Sequence, residues 1–249
     1  MSGLAIVALG VGDAFSARYY SSCLAVGAES AWLLVDCPHP IRKILRESGS
    51  AAGVALDVGD FAAVVVTHLH ADHSSGLEGF GYFAHFVLGR RARLLAHSDV
   101  LAEVWDGHLA AGMRRLLEPE RLTARDLTLG DYFDATPLAE TGAVEVGPFR
   151  IECRRTIHHI PTTALRIRAG GRVLGVSADT AFDPGLIAWL AEADLVVHET
   201  NHGVHTPYAK LAALPAALRA RMRLVHYPDD FDAAGSVIEP LRQGARYEV

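Results

Sequence analysis

Residues 67–73 read THLHADH, and this stretch decides how the chain is interpreted. Four side chains that commonly bind metals follow the apolar run 61–66, which has the composition of a buried strand. Alternate residues of an extended chain point to the same side, so His68 and His70 can converge on one ion. Asp72 and His73 can then turn toward a second ion. The pattern favours a two-metal site over a polar surface loop.

The segments around this stretch predict a chain with strands at both ends and helices between them. Predicted strands cover 4–9, 22–26, 31–35, 62–67, 93–96, 143–146, 149–155, 163–168, 172–177 and 194–198. Predicted helices cover 39–48, 98–117, 184–192, 207–221 and roughly 233–241, and Pro215 either splits the fourth or begins a new turn within it. Gly170 and Gly171 tolerate positive φ, so residues 163–177 should form a hairpin. Strands in runs, with helices interspersed, favour packed sheets covered by helices.

The composition narrows the class of protein. The 249 residues are half hydrophobic and 21% charged, which suits one packed domain over 1–249 and excludes extended disorder. A net charge of −6 argues against a nucleic-acid binder that depends on bulk charge. No apolar run reaches the roughly eighteen residues of a membrane span. Three cysteines without a CxxC pair indicate a reducing, cytoplasmic location.

The motif and its continuation SSGLEGF at 74–80 resemble the metallo-β-lactamase fold superfamily, in particular its ribonuclease Z and phosphodiesterase branch. The resemblance extends over most of the chain, from the opening strand and glycine turn onward. It implies an α+β fold: an αββα sandwich of two mixed β-sheets with helices on the outer faces. It also implies a metal-dependent hydrolase.

The resemblance implies three further metal ligands. His158 fits the third histidine position through Pro161 and Thr162, although its neighbour His159 stays open as an alternative. Asp179 fits the bridging carboxylate, where Ala178 replaces the family's usual glycine. The last ligand then falls at the end of the final core strand. The implied set places His68, His70 and His158 on one ion, and Asp72, His73 and His226 on the other, with Asp179 between them.

Asp36 ends another strand and is given two alternative roles. The resemblance implies that it orients a metal-bound histidine, whereas its position before residues 39–48 would also suit a helix N-cap. The two roles stay open at this point.

Residues 198–202 read HETNH and match the zincin pattern, but a strand leads directly into them, and Gly203 and Pro207 leave room for about one helical turn. The resemblance explains them better, because the branch has a His-Glu pair here and a later His-Thr element. Glu199 and His205 are thereby implied as a proton relay to the leaving group, with Asp72 as a further catalytic candidate. The alternative is that Glu199 and His205 only satisfy loop backbone groups.

The expected cofactors are two divalent ions, with Zn²⁺ first and Mn²⁺ or Fe²⁺ as alternatives, because mixed nitrogen and oxygen sites select weakly. The gap between His158 and Asp179 holds only the predicted hairpin, which leaves no room for the RNA-gripping arm of ribonuclease Z enzymes. The leading hypothesis is a phosphodiesterase for a small phosphodiester or nucleotide, such as a cyclic nucleotide. The alternatives are a glyoxalase II-type thioester or lactone hydrolase, a tRNA 3′-processing endoribonuclease and a non-catalytic metal binder. We anticipate no membrane partner and carry a homodimer forward as an option.

Overall fold

The computed structural model describes residues 3–118 and 120–249, and two large mixed β-sheets organise them. The strands are β1 (Leu4–Gly10), β2 (Cys23–Ala28), β3 (Ala31–Val35), β4 (Phe61–Val65), β5 (Ala92–His97), β6 (Arg115–Leu117), β7 (Ala124–Asp126), β8 (Phe133–Leu138), β9 (Val144–Val146), β10 (Phe149–Arg155), β11 (Thr163–Ala169), β12 (Arg172–Val176), β13 (Leu195–Glu199), β14 (Met222–Val225) and β15 (Arg246–Glu248). The first sheet has the order β15-β1-β2-β3-β4-β5-β8, and the second has the order β14-β13-β12-β11-β10-β9. Strands β6 and β7 form a separate two-stranded hairpin.

Short helices lie on the outer sides of the sheets and in the connections. The helices are α1 (Ile41–Ala51), α2 (Ala71–Ser74), α3 (Leu77–Tyr82), α4 (Ser98–Glu103), α5 (Ala110–Met113), α6 (Leu129–Tyr132), α7 (Pro184–Leu190), α8 (Tyr208–Ala212) and α9 (Ala216–Arg219). A 3₁₀ turn at Val58–Asp60 and π-helical segments at Phe83–Val87 and Val104–Leu109 complete the connections.

Strand β1 shows why the layers stack in this order. Successive side chains of a strand point to opposite faces, and both faces of β1 are apolar. Ile6 and Ala8 pack toward the second sheet, whereas Val7 and Leu9 pack against the layer that contains α1 and α3. On the other side of the molecule, α7 contributes Leu186 to the core shared with the second sheet. The predicted sandwich of two mixed sheets with outer helices is therefore confirmed.

Two helix predictions need correction, and one predicted break is confirmed. The predicted helix 98–117 is interrupted by the π-helical segment and ends at Met113, and residues 115–117 instead pair with β7. The predicted break of helix 207–221 at Pro215 is confirmed, since two short helices lie on either side of this proline. Residues 233–241 form turns rather than a helix, since Leu224 exchanges backbone hydrogen bonds with Glu239 and Leu241 along the edge of β14.

The predicted hairpin 163–177 is confirmed as β11 and β12, joined by Gly170 and Gly171 with φ of 57° and 75°. Strands β3, β4 and β5 run parallel in the first sheet, and β12, β13 and β14 run parallel in the second. Their carboxyl ends meet at one edge of the sandwich, which is where parallel sheets commonly place a binding site. The segments with the candidate ligands all follow these ends or the turn between β10 and β11.

Candidate metal centre

His68, His70 and His158 form one half of the centre, here called the trihistidine half. His70 Nδ1 lies 3.1 Å from His68 Nε2 and 3.1 Å from His158 Nε2. Asp179 Oδ2 lies 3.6 Å and 3.7 Å from those same two Nε2 atoms. Three ring nitrogens and one carboxylate oxygen thus converge on a common point.

Asp72, His73 and His226 form the other half, here called the mixed half. His73 Nε2 lies 3.2 Å from Asp72 Oδ2 and 3.3 Å from Asp179 Oδ1. His226 Nε2 lies 3.2 Å from the same Asp72 oxygen and 3.6 Å from Asp179 Oδ2. The Asp179 carboxylate therefore contacts both halves, which is the position expected of a bridge.

The geometry suits divalent cations. Ligands about 2.1 Å from a tetrahedral ion are about 3.4 Å apart, close to the separations within both halves. The facing ring nitrogens of the trihistidine half cannot all be hydrogen-bond donors, so lone pairs must be directed into it. Imidazoles with unprotonated, converging nitrogens are the donor set that Zn²⁺ and similar ions bind. The residues thus fit the expected ions.

The histidine pKa values shift in opposite directions in the two halves. Burial lowers the pKa of His68 and His70, and it lowers the pKa of His158 to about 4, so these rings are neutral. Burial also opposes a charge on His73 and His226, but nearby carboxylates outweigh it. Asp179 is the largest such influence, and the pKa of both histidines is raised. The mixed half therefore neutralises itself with internal ion pairs, whereas the trihistidine half does not.

The side chains behind the ligands fix their orientation. Asp36 Oδ2 accepts a hydrogen bond from His73 Nδ1 at 2.8 Å, and Asp36 Oδ1 accepts one from the Thr67 backbone N–H at 2.8 Å. Thr67 Oγ1 lies 3.0 Å from Asp36 Oδ2 and 3.0 Å from His68 Nδ1, which leaves His68 Nε2 facing the other ligands. The orienting role of Asp36 is therefore supported. The N-cap alternative is wrong, because α1 begins after Pro40 without a side-chain cap.

Backbone strain is concentrated at this edge. Among the described residues, positive φ occurs at non-glycine positions that include Asp36 (61°), Ala178 (50°) and His226 (56°). Each follows or nearly follows the end of a strand, and each turns the chain sharply toward the centre. Ala178 occupies the place where the resemblance expects glycine, and the positive φ explains that preference. Sequence inspection noted the missing glycine but missed its conformational reason.

Glu199 and His205 form a buried pair beside the mixed half. His205 Nδ1 lies 2.9 Å and 3.0 Å from the two Glu199 oxygens, and the Thr180 backbone N–H donates to Glu199 Oε1 at 2.6 Å. Burial opposes the charged form of His205, but the hydrogen bond to Glu199 and its charge outweigh this and raise the pKa of His205. The same Nδ1 atom is 4.0 Å from Asp179 Oδ2, so His205 also approaches the bridge.

The remaining sequence candidates fall outside the centre. His198 and Glu199 lie on strand β13, so the zincin interpretation lacks its helix and is wrong. His198 is buried, which lowers its pKa to about 4, and its Nδ1 contacts the Glu199 carbonyl. His159 is exposed, and its ring packs 4.8 Å from the ring of His158. The structure thus brings His158, rather than His159, into the trihistidine half.

An open cavity of about 390 Å³ leads to the two halves. It is lined by Ala14, Phe15, His70, Ala71, Asp72, His158, His159, Asp179, His205 and His226. A small molecule with an anionic group could reach the convergence points from this side.

Known proteins resemble the chain over nearly its whole length. The family described as "Anti-Pycsar protein Apyc1" matches residues 4–240. A protein of that name from Bacillus phage 010DV004 is 31% identical over 96% of this chain and 96% of its own length. Another, from Saccharibacillus brassicae, is 28% identical over 97% of this chain and 98% of its own length.

Solved structures identify the fold as the metallo-β-lactamase fold. YhfI from Bacillus subtilis, a protein of that fold, superposes with a TM-score of 0.76 at 17% identity and covers 99% of both chains. A diphosphatase of the PhnP family gives 0.72 at 14% identity over 99% of this chain and 98% of its own. The short form of human tRNase Z gives 0.67 at 19% identity over 98% of each. The predicted metallo-β-lactamase-like fold is therefore confirmed.

Proposed function

The chain belongs to the Anti-Pycsar Apyc1 family, and on that basis we propose that it is a binuclear metal-dependent phosphodiesterase that hydrolyses a small cyclic nucleotide. The observation that carries the proposal is the pair of converging ligand groups around Asp179, with the Glu199–His205 pair beside them. The proposed ligands are His68, His70 and His158 for one ion and Asp72, His73 and His226 for the other. Asp179 is the proposed bridge, and Zn²⁺ is the leading ion, with Mn²⁺ and Fe²⁺ as alternatives.

The ions, when bound, supply a water of lowered pKa and neutralise the charge that builds on the phosphate oxygens. Asp72 presents a carboxylate oxygen to the mixed half, and Asp179 presents its carboxylate to both halves. Asp36 and Thr67 keep the His73 and His68 rings turned toward the centre. None of these groups protonates the leaving-group oxygen of the ester, so a separate proton donor is needed.

Glu199 and His205 are the proposed source of that proton. Because Glu199 binds Nδ1 of His205, Nε2 is the ring nitrogen left for a substrate in the cavity that His205 lines. The buried carboxylate favours the protonated ring, which can then donate to the departing oxygen. Glu199 is 1% exposed, so its charge acts on His205 with little screening by water.

The substrate class follows from size and chemistry. Between His158 and Asp179 the described chain forms only the hairpin β11–β12, which supports a small substrate over tRNA. No helix among the described residues has the length and apolar composition needed to cross a bilayer. We treat residues 1–249 as one domain, and gel filtration would decide between a monomer and the homodimer that the sequence analysis left as an option.

The test is an assay of the Zn²⁺- or Mn²⁺-loaded protein on a cyclic nucleotide, on bis-p-nitrophenyl phosphate and on a thioester. We expect phosphodiester turnover. Glu199→Gln should retain its metal and lose about 10²–10⁴-fold in kcat on the cyclic nucleotide. The loss of kcat should be much smaller on bis-p-nitrophenyl phosphate, because its p-nitrophenolate leaving group departs without a proton. Glu120→Gln, at an exposed position, is the matched control.

Two results would contradict the proposal. Thioester turnover without phosphodiester turnover would point to the glyoxalase II-type alternative. A Glu199→Gln variant as active as the parent on the cyclic nucleotide would contradict the proposed proton relay, but it would not contradict the proposed metal centre.

A further inference from the structure

Among the residues that the structure describes, Phe15 is the most exposed large apolar residue, with a relative solvent exposure of 92%. It lies in the connection between β1 and β2, and it lines the cavity that opens onto both halves of the metal centre. A phenylalanine left in water forgoes the favourable free energy of burying its ring. A ligand that covers its ring would recover that free energy.

The loop that carries Phe15 is held in place from two sides. Asp13 accepts hydrogen bonds from the Phe15 backbone N–H at 3.0 Å and from Asn201 Nδ2 at 3.0 Å. Asp229 accepts from Ser16 Oγ at 2.5 Å and from the Ala17 backbone N–H at 2.8 Å. Asn201 and Asp229 closely follow Glu199 and His226 in the chain. The Phe15 backbone is therefore positioned relative to the catalytic candidates before any substrate arrives.

The cavity lining has two chemical parts. One part consists of His205 and five of the candidate ligands, which suit a phosphate with its bound cations; the five are His70, Asp72, His158, Asp179 and His226. Phe15 is the one large apolar side chain among the described residues that line it, beside the small Ala14 and Ala71. A nucleotide presents the same two parts, since its flat base is joined through the ribose to the phosphate.

We propose that Phe15 forms the base-binding wall of the site, and that it stacks on the base of a cyclic nucleotide whose phosphate lies at the metal centre. This assignment rests on the proposed function. Stacking on an aromatic ring tolerates any base, because every base has a π face. Phe15 therefore contributes affinity for nucleotides as a class rather than selectivity for one base.

The experiment compares two substrates that differ only in the base: cyclic AMP and 1-O-methyl-ribose 3′,5′-cyclic phosphate. Phe15→Ala should lower kcat/KM for cyclic AMP by roughly 5- to 150-fold, mainly through KM, because stacking is made equally in the ground state. It should leave turnover of the base-free substrate within about twofold. Phe15→Trp should retain the activity on cyclic AMP, since the indole also offers a stacking face.

Phe86→Ala is the matched control, because Phe86 is also exposed, at 56%, but lies outside the cavity lining. Equal losses on both substrates, or no loss on cyclic AMP, would overturn the Phe15 assignment while the phosphodiesterase proposal stands. A change from dimer to monomer in Phe15→Ala, with both activities reduced alike, would overturn it as well, since a second chain would then cover the ring. A parent protein that hydrolyses neither substrate would instead overturn the proposed function, and the Phe15 assignment with it.

Discussion

The two halves of the centre use similar residues but are stabilised differently. In the mixed half, His73 lies against Asp36, Asp72 and Asp179, so buried charges of opposite sign already face one another. In the trihistidine half, three neutral rings direct nitrogens at one another and share only Asp179. From this difference we infer that the mixed half is stabilised by the protein's own charges, whereas the trihistidine half needs a bound cation for comparable stabilisation.

The largest expected effect comes from removing the residue that the halves share. Asp179→Ala removes one proposed ligand from each ion, so both ions should bind more weakly. Phosphodiesterase activity should fall by about 10³-fold or more. Metal analysis of the purified protein and kcat/KM on a phosphodiester measure the two effects. Asp230→Ala removes an exposed carboxylate and should change neither. Two tightly bound ions per Asp179→Ala chain would show that the bridge is not needed.

The comparison of the halves is tested most directly in metal-free protein. His73→Ala leaves Asp36 and Asp179 buried without their partner, so it should lower the free energy of unfolding by about 3–5 kcal/mol. His158→Ala removes a ring whose buried Nδ1 makes no hydrogen bond, and should cost about 1 kcal/mol. Urea unfolding after treatment with a chelator gives both values. Equal losses would mean that the halves do not differ in their dependence on a cation.

Thr67 connects the halves and gives a smaller effect. Thr67→Val keeps the shape but removes the hydroxyl that touches both Asp36 and His68. We expect metal affinity to fall by about 10- to 100-fold, as for other residues that orient ligands. Competition with a chromogenic chelator measures the affinity, and Thr136→Val on β8 is the control. An unchanged affinity would show that the His68 ring is oriented without the hydroxyl.

The smallest effect concerns the turn before Asp179. Ala178→Gly should raise the free energy of unfolding by about 0.5–1 kcal/mol, because glycine adopts positive φ without strain. Activity should stay unchanged, since the ligands do not move. Ala181→Gly, at a position without positive φ, should destabilise instead, so thermal unfolding of the two variants should shift in opposite directions. A shift in the same direction would remove the strain interpretation.

The convergence of the candidate ligands could be predicted because each follows an apolar strand closely in the chain, and the resemblance supplied their register. The hairpin at Gly170 and Gly171 was predictable for the same local reason. The turn at 233–241 was not, because its backbone is satisfied by β14, a partner that periodicity does not reveal. Nor was the role of Thr67, whose contact with Asp36 spans separate strands and depends on the assembled sheet.

Each half of the centre draws ligands from both sheets. His68, His70, Asp72 and His73 follow β4 of the first sheet, whereas His158, Asp179 and His226 follow strands of the second. A bound ion would therefore act as a cross-link between the layers, closing chain loops that span much of the sequence. Metal loading would then raise the free energy needed to separate the two sheets, so the ions proposed for catalysis would also stabilise the fold at this edge.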